Sequence, residues 1–287
     1  MHTKKELTEQ IEDVKTIKSL SETYEEIAAI SILQVRNSVS RTREFLAGVS
    51  GVYKTTKQVY IKKVQNLLVG KRDMTDLSFV RRNGKEVLVF LSANQNLYGD
   101  LVSKVFQEFI RDVKVSKNDA VVIGGLGKAY LERENLSSRV EYFDLADYKP
   151  EWTKIQDITN FIRAYEKITV YYGEFLSVLN QIPAKSDISG GVTLGEKANP
   201  SKDYIFEPSP ELVLEFFETQ IIANLFHQKV YEAQLARFAS RFILMSKAAE
   251  NATEELGKLN ENYLRFKKYL RNKKQLATFS SRVLWGS

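Results

Sequence analysis

Cysteine is absent from all 287 residues, which removes disulfides, thiolate metal sites and cysteine nucleophiles from consideration. Histidine is nearly absent. With His2 at the terminus and His227 far along the chain, neither a histidine metal cluster nor a histidine-based triad can be assembled within one chain. No run of about eighteen apolar residues is present to span a membrane. The opening MHTKKELTEQIEDV mixes both charge signs, has no apolar stretch for a signal peptide and is too acidic for a transit peptide. The simplest expectation is a soluble protein made and used in one compartment. An apolar content of 43% argues against disorder. A net charge of +6 favours acidic partners mildly, whether nucleic acid, anionic membrane or acidic protein surface.

Proline is scarce and confined: all five lie between Pro150 and Pro210. From Glu211 to Gly286 there is none, and Gly257 is the one interior glycine, so the C-terminal quarter reads as a single helix. Within it Leu235, Phe238, Phe242, Met245, Ala249, Ala252, Leu256, Leu259, Tyr263, Phe266 and Leu270 recur at alternating spacings of three and four. Held this long, that repeat is the signature of a coiled-coil seam, with a long helix of a bundle as the other reading. At ~1.5 Å per residue, roughly 75 residues reach on the order of 110 Å. Residues 4–68 also lack proline, and Leu7, Ile11, Val14, Ile17, Leu20, Tyr24 and Ile27 keep a three-or-four spacing, predicting a second long helix that Gly48 and Gly51 kink or break. Pairing the two gives a long antiparallel coiled-coil rod carrying the middle of the chain as an insertion at one end.

That middle alternates apolar runs with helical patterns. Strands are predicted at 87–91, 120–123, 140–143 and 168–179, with helices at 97–113 and 152–165. Strands buried on both faces mean a small, mostly parallel, doubly wound α/β domain, and loops and edge strands belong around 189–200. The expected domains are 1–70, 71–208 and 209–287.

Candidate chemistry is sparse. Gly124-Gly125-Leu126-Gly127-Lys128 follows a strand and opens a helix, the setting in which backbone amides cradle phosphate. Its spacing fits neither G-x-G-x-x-G nor G-x-x-x-x-G-K-[ST], and a plain strand-to-helix turn is the better reading. Arg265, Lys267, Lys268, Arg271, Lys273 and Lys274 form a basic run interleaved with Phe266, Tyr269 and Leu270. A solvated helix end, an acidic protein partner and nucleic acid all remain open for it. Carboxylates such as Glu25 with Glu26 and Asp144 with Asp147 read as exposed charges, and His227 as a seam or surface residue.

The order long helix, small parallel α/β domain, longer helix resembles the gamma subunit of the F-type ATP synthase over nearly the whole length. The most specific match is Asp203-Tyr204-Ile205-Phe206-Glu207-Pro208-Ser209-Pro210, similar to the family's D-Y-x-[YF]-E-P-x-P. Gln181-x-Pro183, the loop 92–99 in place of S-D-R-G-L-C-G, and Ala248 to Ala252 in place of A-x-x-N-A fix the register. Departures mark a divergent member: Asn94-Gln95-Asn96 stands for Asp-Arg-Gly, Ser19 to Tyr24 for K-I-T-x-A-M, and Arg265 to Leu270 for R-Q-x-x-I-T.

The resemblance implies a Rossmann-like insertion on a coiled-coil rod and a central rotor shaft without catalytic residues, cofactor or metal. It implies as partners three alpha and three beta subunits of the catalytic ring, an epsilon-like small subunit and a membrane carrier ring, with no nucleic acid and no direct membrane insertion. The location implied is the cytoplasmic face of a bacterial membrane, peripheral. Residues expected near the ring are Tyr24, Ile27, Gln34, Tyr263, Arg265, Phe266, Lys267, Lys268 and Tyr269, with Val283, Leu284 and Trp285 as an apolar bearing. Two other classes stay open: a non-rotating coiled-coil adaptor with a protein-binding α/β head, and a nucleotide-binding enzyme using residues 124–128.

Overall fold

The computed structural model describes residues 4–67, 82–116, 118–134, 140–189, 207 and 209–284, except for the side chains of 62–67 and 281–284. Residues 203–206 and 208 of the Asp203 to Pro210 motif, most of the loop expected at 189–200, and Trp285 lie outside them. The chain divides into two compact units, Met1–Ala29 with Arg241–Ser287, and Ile30–Ser240.

The terminal helices are α1 (Lys4–Leu67) and α5 (Pro210–Leu284). Pro210 starts α5 where its missing N–H costs nothing, and the Ser209 hydroxyl accepts from the Leu212 amide at 3.3 Å. Gly48 and Gly51 leave α1 unbroken. The predicted α5 seam is buried or half-buried from Leu235 to Phe266, whereas Leu270 is exposed.

On α1 the expected seam splits after Val14. Leu7 and Ile11 pack with Leu259, flanked by Val14, Leu256, Tyr263 and Phe266. Ile17, Leu20, Tyr24 and Ile27 instead face outward, between 37% and 55% exposed. The inward row runs on through Lys18, Ser21, Glu25 and Ala28, with Ser21 and Ala28 buried. Those positions continue the alternating four-and-three spacing from Leu7, and the larger apolar residues lie one step off it. Here the register of the heptad outweighs side-chain hydrophobicity.

In the larger unit, β1 (Glu86–Leu91), β2 (Asp119–Ile123), β3 (Val140–Phe143), β4 (Lys167–Phe175) and β5 (Gln181–Asp187) form one sheet of order β3-β2-β1-β4-β5. The first four are parallel, and β5 returns antiparallel to β4 with Gly173 opposite Pro183. The strand expected at 168–179 ends at Phe175, and its last residues form a turn in which the Leu176 and Ser177 amides donate to the Asn180 carbonyl; β5 lies beyond it. Helices α2 (Leu101–Val115), α3 (Gly125–Arg133) and α4 (Trp152–Ile162) complete the layers. Helix α2 begins four residues later than expected because Leu97 and Gly99 adopt positive φ, which no helix accommodates.

Alternation along β1 sends Leu88 and Phe90 to one face, against α2 and residues 35, 39, 235, 236 and 238. Val87, Val89 and Leu91 go to the other, against α4 and residues 222, 226, 230 and 233. Residues 232–239 of α5 are buried without exception, so two turns of this helix have no solvent face. Polar contacts join α5 to α1 in this unit. The Tyr53 hydroxyl donates to Glu218 at 2.6 Å, and Arg43 donates to Glu232 at 2.8 Å. Burial and the Glu218 carboxylate push the Tyr53 phenol well above its usual range.

Two outcomes test this packing. Phe109 has no exposed surface and sits 5.3 Å from the Phe90 ring and 5.5 Å from that of Tyr171; Phe109→Ala is expected to cost about 3–5 kcal/mol in denaturant unfolding. Burial by itself would raise the Glu232 carboxyl, but hydrogen bonds from Arg43, Lys229 and Gln228 outweigh it and hold the group below its ordinary range. Because the folded value is depressed, this stabilisation is complete above the ordinary glutamate pKa of about 4.3 and is lost as pH falls through the folded value. Glu232→Gln should cost about 1–3 kcal/mol at pH 7 and flatten the loss of melting temperature in that acid window.

Candidate functional site

Two places could carry function: the crevice at the carboxyl ends of the parallel strands, where open α/β sheets bind ligands, and the outward surfaces of the terminal helices.

The crevice is filled by the chain itself. The Gly124 amide donates to the Phe143 carbonyl at 2.9 Å, that of Leu126 to the Ala93 carbonyl at 2.8 Å, and that of Gly125 to Asn94 Oδ1 at 2.6 Å. The Asn94 side chain thus stands where a phosphate oxygen would lie on a nucleotide loop, and its Nδ2 donates in turn to Asp144 at 2.8 Å and the Leu145 carbonyl at 3.1 Å. The glycines serve close packing. Gly124 has φ +108° with the Ala93 backbone 2.8 Å from where a Cβ would sit, and a Cβ on Gly127 would lie 2.7 Å from those of Ser92 and Val122 Cγ1. The turn reading of residues 124–128 accounts for every one of these contacts.

Beside this loop lies a buried polar cluster that sequence reasoning missed. Asp147, expected as an exposed charge, is 5% exposed. Its carboxylate accepts from the Asn94 amide at 3.0 Å, the Gln95 amide at 2.9 Å and the Tyr98 hydroxyl at 3.2 Å. Helix α5 closes over it. Gln234 donates to the Asp147 carbonyl at 2.9 Å, Arg237 donates to the Ser92 carbonyl and stands 3.9 Å from the Asp147 carboxylate, and Ser240 donates to the Tyr98 carbonyl at 2.7 Å. A cavity of about 10 Å³ beside Ser92 and Arg237 has room for about one water molecule. The available signal was three polar residues at three-residue spacing inside an otherwise apolar stretch of α5.

The helix surfaces hold the residues expected near a ring. Tyr24 and Ile27 are 37% and 39% exposed, and Gln34 is exposed. The Tyr24 ring also lies 6.0 Å from the guanidinium of Arg241, which is 1% exposed and is a seam residue the apolar pattern gave no reason to expect. Tyr263 and Phe266 are half-buried against Leu7, Ile11 and Leu259. Arg265, Lys267, Lys268 and Tyr269 are exposed, Arg265 being 3.6 Å from Glu261. From residue 267 to 280 every side chain is exposed. Val283 and Leu284 belong to the helix, but their side chains, like Trp285, lie outside the described residues. The His227 ring lies edge-on to Trp152, with centroids 4.8 Å apart, and tilted against Tyr231 at 4.5 Å, and burial lowers its pKa. Among the described residues no group of three or more acidic or histidine side chains is placed to hold a metal ion.

Comparison with known proteins agrees with this geometry. The family model described as ATP synthase matches residues 3–268. The ATP synthase gamma chain of Desulforamulus reducens is 22% identical over 268 residues, covering 90% of each chain. That of Roseiflexus castenholzii is 27% identical over 266 residues, covering 88% of each. Among solved structures, the central stalk and c-ring of Tetrahymena thermophila mitochondrial ATP synthase contains a chain of the same fold. It has a TM-score of 0.59 at 15% identity, over 80% of this chain and 99% of that one. A chain of the Euglena gracilis OSCP/F1/c-ring assembly gives 0.52 at 12% identity, over 89% and 94%. With paired terminal helices, an inserted mostly parallel sheet and a family match over nearly its full length, the chain belongs to the ATP synthase gamma chain family, as a divergent member.

Proposed function

We propose that this chain is the central rotor shaft of an F-type rotary ATP synthase or ATPase, a non-catalytic subunit that couples rotation to the nucleotide sites of a surrounding ring. The observation that carries the reading is the outward-facing, exposed apolar row Ile17, Leu20, Tyr24 and Ile27, which lies beside an intrachain seam built from smaller and polar residues. An apolar row of this kind on a charged helix marks a surface made for another protein. It suits a bearing, because few fixed hydrogen bonds must break as the surface turns. The exposed cations Arg265, Lys267 and Lys268 add attraction to an acidic wall without interlocking. A lone helix pair has no three-fold symmetry, so a ring of three alpha and three beta subunits around it would present three unlike sites at any instant. Shaft angle and nucleotide affinity are then coupled reciprocally.

The α/β body would contact an epsilon-like small subunit and a membrane carrier ring, which puts the complex on the cytoplasmic face of a bacterial membrane. Among the described residues no helix is long and apolar enough to cross one, which fits a peripheral subunit. The relatives named gamma chain and the rotor and c-ring assemblies that share the fold support the same reading.

Affinity capture of the native protein at low salt, followed by sizing and an ATPase assay, should recover a hexamer of nucleotide-binding subunits with a single copy of this chain. Recovery of no such ring across several salt concentrations would replace the shaft reading with the adaptor. Leu20→Ser with Ile27→Ser should leave unfolding of the isolated chain within about 0.5 kcal/mol and weaken its hold on the ring by about tenfold or more. Glutamate at Arg265, Lys267 and Lys268 together should lower torque and ATPase coupling; unchanged values would leave those cations without a role.

A further inference from the structure

We propose that the buried bonds joining Gln234, Arg237 and Ser240 of α5 to the carboxyl edge of the sheet form a torque clamp, the junction through which turning force passes between the α/β body and the long helix. The inference rests on the shaft reading and assigns it a specific place.

Residues 232–239 of α5 lie inside the body, in contact with apolar clusters on both faces of the sheet. Apolar contact is non-directional. A helix held only by such contacts resists removal from the body better than it resists turning within it. Hydrogen bonds differ, since they weaken steeply with distance and angle. With side chains ending at a radius of about 5–6 Å, a turn of about 30° about the helix axis moves their tips by about 3 Å, enough to break a bond.

Gln234, Arg237 and Ser240 follow one another at three-residue spacing, so they form a single ridge of the helix. They reach two loops: Gln234 the one after β3, and Arg237 and Ser240 the two ends of the loop 92–99 between β1 and α2. The Asp147 carboxylate ties the three anchor points together through the amides of Asn94 and Gln95 and the Tyr98 hydroxyl. The grip therefore closes on a rigid frame. One turn earlier Lys229 donates to the Tyr172 hydroxyl of β4 at 2.9 Å, but its four-carbon stem can follow such a turn.

The test uses the ring-bound chain with a bead fixed to the α/β body. Gln234→Leu with Arg237→Met roughly keeps side-chain volume and removes the directional bonds of two of the three clamp residues, leaving that of Ser240. The variant should assemble and rotate normally under low load, then slip under high viscous load at which the parent chain keeps turning. A purely structural role would lower the melting temperature without this load dependence.

The chain's lack of cysteine permits a rescue. A Cβ at Gly99, φ +60°, would lie 3.1 Å from Ser240 Oγ, so Gly99→Cys with Ser240→Cys is within disulfide reach. Oxidation of this pair in the double variant should restore rotation under load, and reduction should abolish it again. In the otherwise unaltered chain, oxidation should leave torque intact. Full torque in the double variant, absence of rescue on oxidation, or a stall caused by the disulfide in the otherwise unaltered chain would each overturn the clamp while leaving the shaft reading in place. Failure of the unaltered chain to join any hexamer would overturn both.

Discussion

Everything in the larger unit depends on two turns of α5 having no solvent face. A helix that packs against a sheet normally buries one stripe, and its polar residues turn outward. Here residues 232–239 are enclosed, so the hydrogen bonds that Glu232, Gln234 and Arg237 make have to be found inside the protein. Their partners are the features that shape the neighbourhood: Arg43 on α1, the Asp147 carbonyl, and the Ser92 carbonyl at the end of β1. Those needs explain the conformation of loop 92–99, the burial of Asp147 and the absence of an open crevice where other parallel sheets hold nucleotides. Removing a partner from such a network costs more than the bond itself, because the remaining group stays buried and unpaired.

The smaller unit is organised on a different principle. Its seam is a heptad row that tolerates Lys18, Ser21 and Glu25 because spacing, and not hydrophobicity alone, decides which side chains face the partner helix. The small Ser21 and Ala28 are the buried members of that row, and Arg241 is enclosed in the same unit with its guanidinium over the Tyr24 ring. The large apolar residues one step away are consequently available outside. A helix pair with one row for itself and another for a partner can be both stable alone and adhesive.

Much of this was legible because the sequence is quiet where structure is regular. Proline-free stretches gave the two long helices, continuous apolar runs gave β1 and β2 within a residue or so, and the short strand expected at 140–143 is β3. The α5 seam was readable because its inward positions are nearly all apolar. The α1 seam was misread beyond Val14, since two rows offset by one position both fit a three-or-four spacing and the more apolar one is the outward one. The start of α2 was misplaced because helical periodicity begins at Leu97, while the backbone there is left-handed. Asp147 and Arg237 could not be paired from sequence. Their partnership follows from bringing together a loop and a helix far apart in the chain, and no local pattern encodes that.

That long separation bears on how the protein is made. Arg43 and Glu232, joined across α1 and α5, are 189 positions apart, so α1 leaves the ribosome with its seam bare and waits for its partner through the synthesis of the whole sheet. At ordinary elongation rates that interval is roughly 10–40 s. During it the parallel strands and their helices can already form, whereas the helix pair cannot close until the last quarter of the chain arrives. Both apolar cores of the larger unit take residues from α5, so they too stay incomplete until the last quarter of the chain arrives, and the wait exposes the same surfaces to any chaperone or ring subunit at hand.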